Sequence, residues 1–217
     1  LRRDAKGYIW VFCDSRENDI MHLDILDPAT GLLRPVQDRF PELPFDPADL
    51  IRYGPQRADG SVVLGAAAPA RCIVFDAHDR ISVHELDGER FEPLGDDQNQ
   101  RIIGHLVTSA GEQRIVRMGT DGALEVVQEL QRGTIVENMV TGRTTNGALY
   151  RLITPDGSTR FFDTYSELIL SDRALLADGP ASRDGDPKHR PLNYTPLSEH
   201  GLCIVSTMLV DGSDRVL

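Results

Sequence analysis

Cys72 to Gly95 reads CIVFDAHDRISVHELDGERFEPLG. Its apolar or alternating runs are cut by AHD and by DGE, and short β-rich runs broken by turn residues mark serial antiparallel strands. Asp87-Gly88, in the second break, is one of seven Asp-Gly pairs; the others begin at Asp59, Asp121, Asp156, Asp178, Asp184 and Asp211. Asp-Gly supplies the positive φ that tight hairpins need, so hairpins are expected at Asp59, Asp87, Asp121, Asp156 and Asp211. The pairs at Asp178 and Asp184 fall in an irregular arm.

Working outward, Ser61–Gly65 joins Arg71–Asp76, Arg80–Leu86 and Arg90–Leu94 as a module of four short strands. Upstream, Gly7–Cys13 (GYIWVFC) reads as a strand buried on both faces, followed by strands at Asp19–Leu26 and Leu32–Val36 around the turn DPATG. From Gln37 to Gly60 the prolines Pro41, Pro44, Pro47 and Pro55 predict a long loop. One helical turn is expected there at Ala48–Arg52, capped by Asp46 with Pro47 first. Downstream, Arg101–Ser109, Glu112–Met118 and Ala123–Leu130 form the next set, and Thr134–Val140, Gly147–Thr154, Ser158–Asp163 and Glu167–Leu170 another. Ser171–Glu199 breaks the rhythm as a long loop or interface arm, before a buried strand at Gly201–Val210.

Strand, Asp/Gly turn, strand units such as CIVFDAHDRISVHELDGERFEPLG and YRLITPDGSTRFFD (Tyr150–Asp163) resemble those of a β-propeller. The Asp-Gly spacings from Asp59 to Asp156, 28, 34 and 35 residues, fall short of a usual blade of roughly 40 to 50. The expected fold is therefore all-β, with antiparallel meandering sheets in a partial or irregular β-propeller, and a β-sandwich or barrel as the alternatives. One domain is expected over residues 1–217, with loop-rich segments 37–60 and 171–200. A propeller resemblance implies a binding scaffold and does not choose a reaction.

The net charge of −11 opposes direct nucleic-acid binding and favours a basic protein partner. No apolar run approaches the roughly 20 residues of a membrane-spanning helix. Cys13, Cys72 and Cys203 sit in strand-like runs without CxxC spacing, which predicts buried free thiols and favours a reducing, cytoplasmic setting. Leu1 rather than Met opens the chain, as expected of a start that has been processed or left out. Phosphate-loop, dinucleotide, HExxH and GxSxG motifs are all missing from the sequence.

A non-catalytic binding or scaffold module acting through protein contacts, as a component of a larger assembly, is therefore the first expectation, with no cofactor. The acidic run Glu85, Asp87, Glu89, Glu92, Asp96 and Asp97 is a candidate docking edge, as is the arm with Asp184, Asp186 and His189. An alternative is a metal-dependent hydrolase or lactonase. His22 and Asp24 share a strand face and Asp76 and His78 share a turn, residue types that bind a divalent metal. A third reading, an acidic inhibitor or immunity-type protein that neutralises a basic partner, rests on charge alone.

Overall fold

The computed structural model describes residues 2–15, 20–54, 57–138, 148–165, 167–171, 189–196 and 203–209. Its sheets are antiparallel meanders of strands consecutive in sequence. The first holds β1 (Arg2–Arg3), β2 (Ile9–Ser15), β3 (Ile20–Asp27) and β4 (Leu32–Pro35); the second β5 (Leu50–Tyr53), β6 (Val62–Ala66), β7 (Arg71–Phe75) and β8 (Ile81–Glu85). The third holds β9 (Arg90–Asp96), β10 (Ile102–Val107), β11 (Gln113–Met118) and β12 (Leu124–Leu130); the fourth β13 (Ile135–Asn138), β14 (Leu149–Ile153), β15 (Thr159–Asp163) and β16 (Leu168–Ser171). A ribbon of β17 (His189–Pro196) and β18 (Cys203–Leu209) follows. Serial four-stranded meanders are the blade unit of propellers, and the fold is all-β and propeller-like.

Contacts divide the chain into two compact units, Leu1–Gly95 with Ile102–Leu130, and Asp96–Arg101 with Gln131–Leu217. In the second unit, Leu149, Tyr150, Leu152, Phe161 and Phe162 are buried on β14 and β15. Ala148 N–H donates to the Thr164 hydroxyl at 2.9 Å and Thr164 N–H returns a bond to the Ala148 carbonyl, closing the end of that strand pair.

Four expectations change. The strand frame moves by one: β5, hidden in the proline-rich segment, opens the second sheet, and β9 leaves that module to open the third. The helical turn is a 3-10 turn at Pro47–Asp49, with Asp46 accepting from Ala48 N–H at 2.9 Å; Leu50 is already extended and begins β5. A short helix, α1 (Val36–Arg39), also interrupts the loop. Finally, the arm contains β17, which pairs with β18, so segment 171–200 is not all loop.

Six tight turns share one frame. In each, the first residue's N–H bonds the carbonyl four residues on, and the fourth residue returns a bond to the first: Asp4–Tyr8, Asp76–Arg80, Asp97–Arg101, Thr108–Glu112, Gly119–Ala123 and Thr154–Ser158. The fourth residue has positive φ in every case, as Gly7, Asp79, Gln100, Gly111, Gly122 and Gly157, the type I plus bulge hairpin. Asp121-Gly122 and Asp156-Gly157 turn hairpins as expected. Asp87-Gly88 does not; it links β8 of one sheet to β9 of the next. Gly88 is there for proximity, since a Cβ would sit 2.8 Å from both Leu106 Cδ1 and the Val107 oxygen.

The middle strands of the second sheet, β6 and β7, are buried on both faces. Val62, Leu64, Ala66, Ile73 and Phe75 join Trp10, Leu23, Ile25, Val36 and Phe40 in one core cluster. Val63 and Cys72, on the opposite face, join Phe91, Ile102, Leu106, Val116 and Met118 in another. Alternation along β6 thus feeds two cores from one strand. Trp10 lies 4.6 Å from Phe75 between ring centroids, and Phe40 5.0 Å from Phe75. Cys72 is a buried free thiol, its pKa pushed up to about 12 by burial; such a thiol is a poor nucleophile.

Glycines set the spacing of these layers. A Cβ on Gly65 would overlap the Phe91 carbonyl oxygen and come within 2.6 Å of Pro93 Cδ; one on Gly104 would overlap the Phe91 ring. Gly65→Ala and Gly104→Ala should each cost about 1–3 kcal/mol, read from denaturant midpoints. Phe91→Leu should relieve Gly104→Ala, whose obstacle is a side chain, but not Gly65→Ala, whose obstacle includes backbone. Equal rescue of both would reject this packing account.

Candidate functional site

His22 and Asp24 do share β3, with Asp24 half-buried and His22 exposed. They line a hollow of about 230 Å³ with Pro35, Gln37, Asp46 and Pro47. Asp76 and His78 lie elsewhere, in the β7–β8 turn, and do not line it. The Asp76 carboxylate accepts from His78 N–H at 2.8 Å, Arg80 N–H at 2.9 Å and Arg80 Nε at 2.7 Å. These bonds, the Arg80 backbone N–H first, hold its pKa below the usual carboxylate range and occupy the oxygens a metal would need. Among the described residues, no group of three or more His, Cys, Asp or Glu is placed to hold a metal ion.

The acidic run separates into two kinds of carboxylate. Asp97 is buried and fills the same turn role as Asp76, accepting from Asn99 N–H, Arg101 N–H and Arg101 Nε. Glu92 is half-buried and ion-paired, and Asp96 is half-buried. Glu85 is exposed at the end of β8, and Asp87 and Glu89 are exposed on the β8–β9 connection. That connection is pinned on both sides: Ala68 N–H to Glu89 O at 2.7 Å, Ala70 N–H to Gly88 O at 3.0 Å, and Glu89 N–H to Val107 O at 2.8 Å. Asp184 and Asp186 lie outside the described residues; His189 is the first residue of β17, opposite Leu209.

A second charged cluster, unmarked by any motif, forms where the first strands of two sheets meet. The Pro93 ring packs toward Gly65 and Gly54, so strand alternation sends Glu92 to the other side of β9. There Arg52 of β5 donates through its terminal Nη1 to Glu92 Oε2 at 2.8 Å, and Arg90 Nε lies 3.4 Å from Glu92 Oε1. His105 of β10 is buried within their field, with Gln113 as a hydrogen-bond partner. Burial lowers its pKa most; Glu92 opposes that, while Arg90 and Arg52 reinforce it. The imidazole is neutral at physiological pH. The 40-residue separation of Arg52 and Glu92 left this cluster without a sequence signature.

The described residues include no helix long and apolar enough to cross a membrane. No family model matches the chain, and no curated protein matches it in sequence. Among solved structures it is similar to selenomethionine-substituted virginiamycin B lyase from Staphylococcus aureus, with 13% identity and a TM-score of 0.49, over 99% of this chain and 67% of that one.

His105 gives the cluster a pH signature. Its folded-state pKa lies below the ordinary 6.5, so as pH falls the unfolded chain takes the proton first. Stability is intact above about pH 6.5 and is lost as pH drops through the folded value. The thermal midpoint should therefore fall between about pH 7 and pH 5, and part of that fall should vanish in His105→Gln. An unchanged pH profile in the variant would remove His105 from the account.

Proposed function

We propose that the protein is a non-catalytic binding module that docks a basic protein segment on the β8–β9 connection. One observation supports this reading above the rest: Glu85, Asp87 and Glu89 are exposed, ion-paired to nothing among the described residues, and carried on a backbone hydrogen-bonded from two sides. Many carboxylates elsewhere are already engaged. Asp4, Asp49, Asp76, Asp79, Glu92, Asp97, Glu112, Glu125, Glu129 and Glu137 all hold arginines. A pinned loop presents its charges without first losing conformational freedom, which spares part of the ordering cost of association. The net charge of −11 adds a long-range field that draws a cation in and repels phosphate backbones.

Titration with a lysine-rich peptide tests the docking edge. Glu85→Gln/Glu89→Gln and Asp38→Asn/Glu42→Gln each remove two exposed carboxylates, the second pair being remote from the connection in sequence and equally unpaired. The first double variant should weaken binding by about 3–10-fold, with the loss shrinking at high salt, and the second should change it by less than about twofold. Equal losses would mean that net charge alone attracts the peptide, and the docking edge would be rejected.

A further inference from the structure

We propose that Arg52 and Arg90, spread on either side of Glu92, form a binding site for a small anion bearing a carboxylate or phosphate group. This site is distinct from the acidic connection and opposite in sign. Several arginines elsewhere have at least one carboxylate to themselves or share two: Arg39 bridges Asp4 and Asp79, Arg114 bridges Glu112 and Glu129, and Arg71, Arg101 and Arg151 take Asp49, Asp97 and Glu137. Here two guanidiniums share one carboxylate. Each guanidinium has five N–H donors, and Glu92 engages one nitrogen of each.

Both arginine side chains remain partly open to solvent. The Arg52 and Arg90 side chains are 38% and 46% exposed, against 16% for Glu92 beneath them. Glu92 therefore acts as a spacer that hydrogen-bonds one fork and ion-pairs with the other while leaving one positive charge uncompensated. Neutral His105 adds no charge of either sign to the floor. The forks match the planar two-oxygen edge of a carboxylate or phosphate, where a lysine would offer only a point charge. Both arginines stand on β-strands, and the close approach of β9 to Gly54 and Gly65 fixes their separation.

The test is a titration of full-length protein, labelled on arginine side chains, with inorganic phosphate and separately with acetate at constant ionic strength in chloride. Saturable shifts of the Arg52 and Arg90 Nε–Hε signals with at least one probe are expected, and the better probe identifies the anion. Arg90→Gln should weaken that binding about fivefold or more, and Glu92→Gln should tighten it about 3–10-fold by removing the competing charge while keeping the shape. A gain on Glu92→Gln cannot arise from a damaged fold. Arg80→Gln, at an exposed ion pair in the β7–β8 turn, should leave binding unchanged. Non-saturating shifts with both probes, an equal loss in Arg80→Gln, or no gain in Glu92→Gln would each overturn the proposal.

Discussion

Among the glycines of the first unit, Gly65 is the one most tightly met by a neighbouring backbone, that of β9, where the Phe91 carbonyl and Pro93 occupy the space a side chain would need. Much follows from that contact. Phe91 is then seated on Gly104 of β10, so one residue is held between two strands by the absence of two side chains. Interiors are dense enough that such a gap cannot be left open or overfilled without cost. β6 can be buried on both faces only because a neighbour comes this close on its second face, and Val63 and Cys72 owe their place in the second core to it.

A second constraint is electrostatic and holds the opposite face. Arg39 of α1 bridges Asp4 at 2.8 Å and Asp79 at 2.5 Å, Lys6 also pairs with Asp79, and Trp10 Nε1–H donates to Asp4 at 3.1 Å. The Arg39 guanidinium also lies 4.2 Å from the Tyr8 ring centroid. Three separate segments, the β1–β2 turn, α1 and the β7–β8 turn, therefore share one network. Asp79 is available to it because it takes the positive-φ position of its turn, while Asp76 makes the internal bonds. Position within the turn thus divides the labour between two neighbouring carboxylates.

That division was only partly legible in the sequence. Strand runs were readable because β-branched and aromatic residues cluster between turn residues, and Asp156-Gly157 announced its hairpin. The common turn frame was not, because Asp79 and Gln100 fill the positive-φ position without being glycine. Sheet membership was harder still. Nothing in Arg90–Leu94 says that the strand leaves its neighbours, and Leu50–Tyr53 is too short a run to stand out among prolines. A usable signal did exist in Gly65, Gly88 and Gly104, since glycine inside a strand or next to one marks a close backbone approach. The charged cluster of Arg52, Arg90, Glu92 and His105 needed those approaches first, because its members come from three strands.

The packing also shapes the surface chemistry. Most described arginines are spent on carboxylates, and a planar fork can serve two at once, as Arg39 and Arg114 do. With lysine at only two positions, little mobile positive charge is left, so the negative balance is carried by carboxylates at particular places. Two contrasting arrangements lie within one short stretch, Glu85 to Glu92. Three carboxylates without a cation stand at the end of β8 and on the connection that Gly88 brings against β10, and one carboxylate between two cations stands on the strand that Gly65 brings against β6. Glu89 and Arg90 are adjacent in sequence, yet alternation turns them apart. The same close approaches that seal the second core therefore hold two opposite charge fields a few residues apart without letting them cancel.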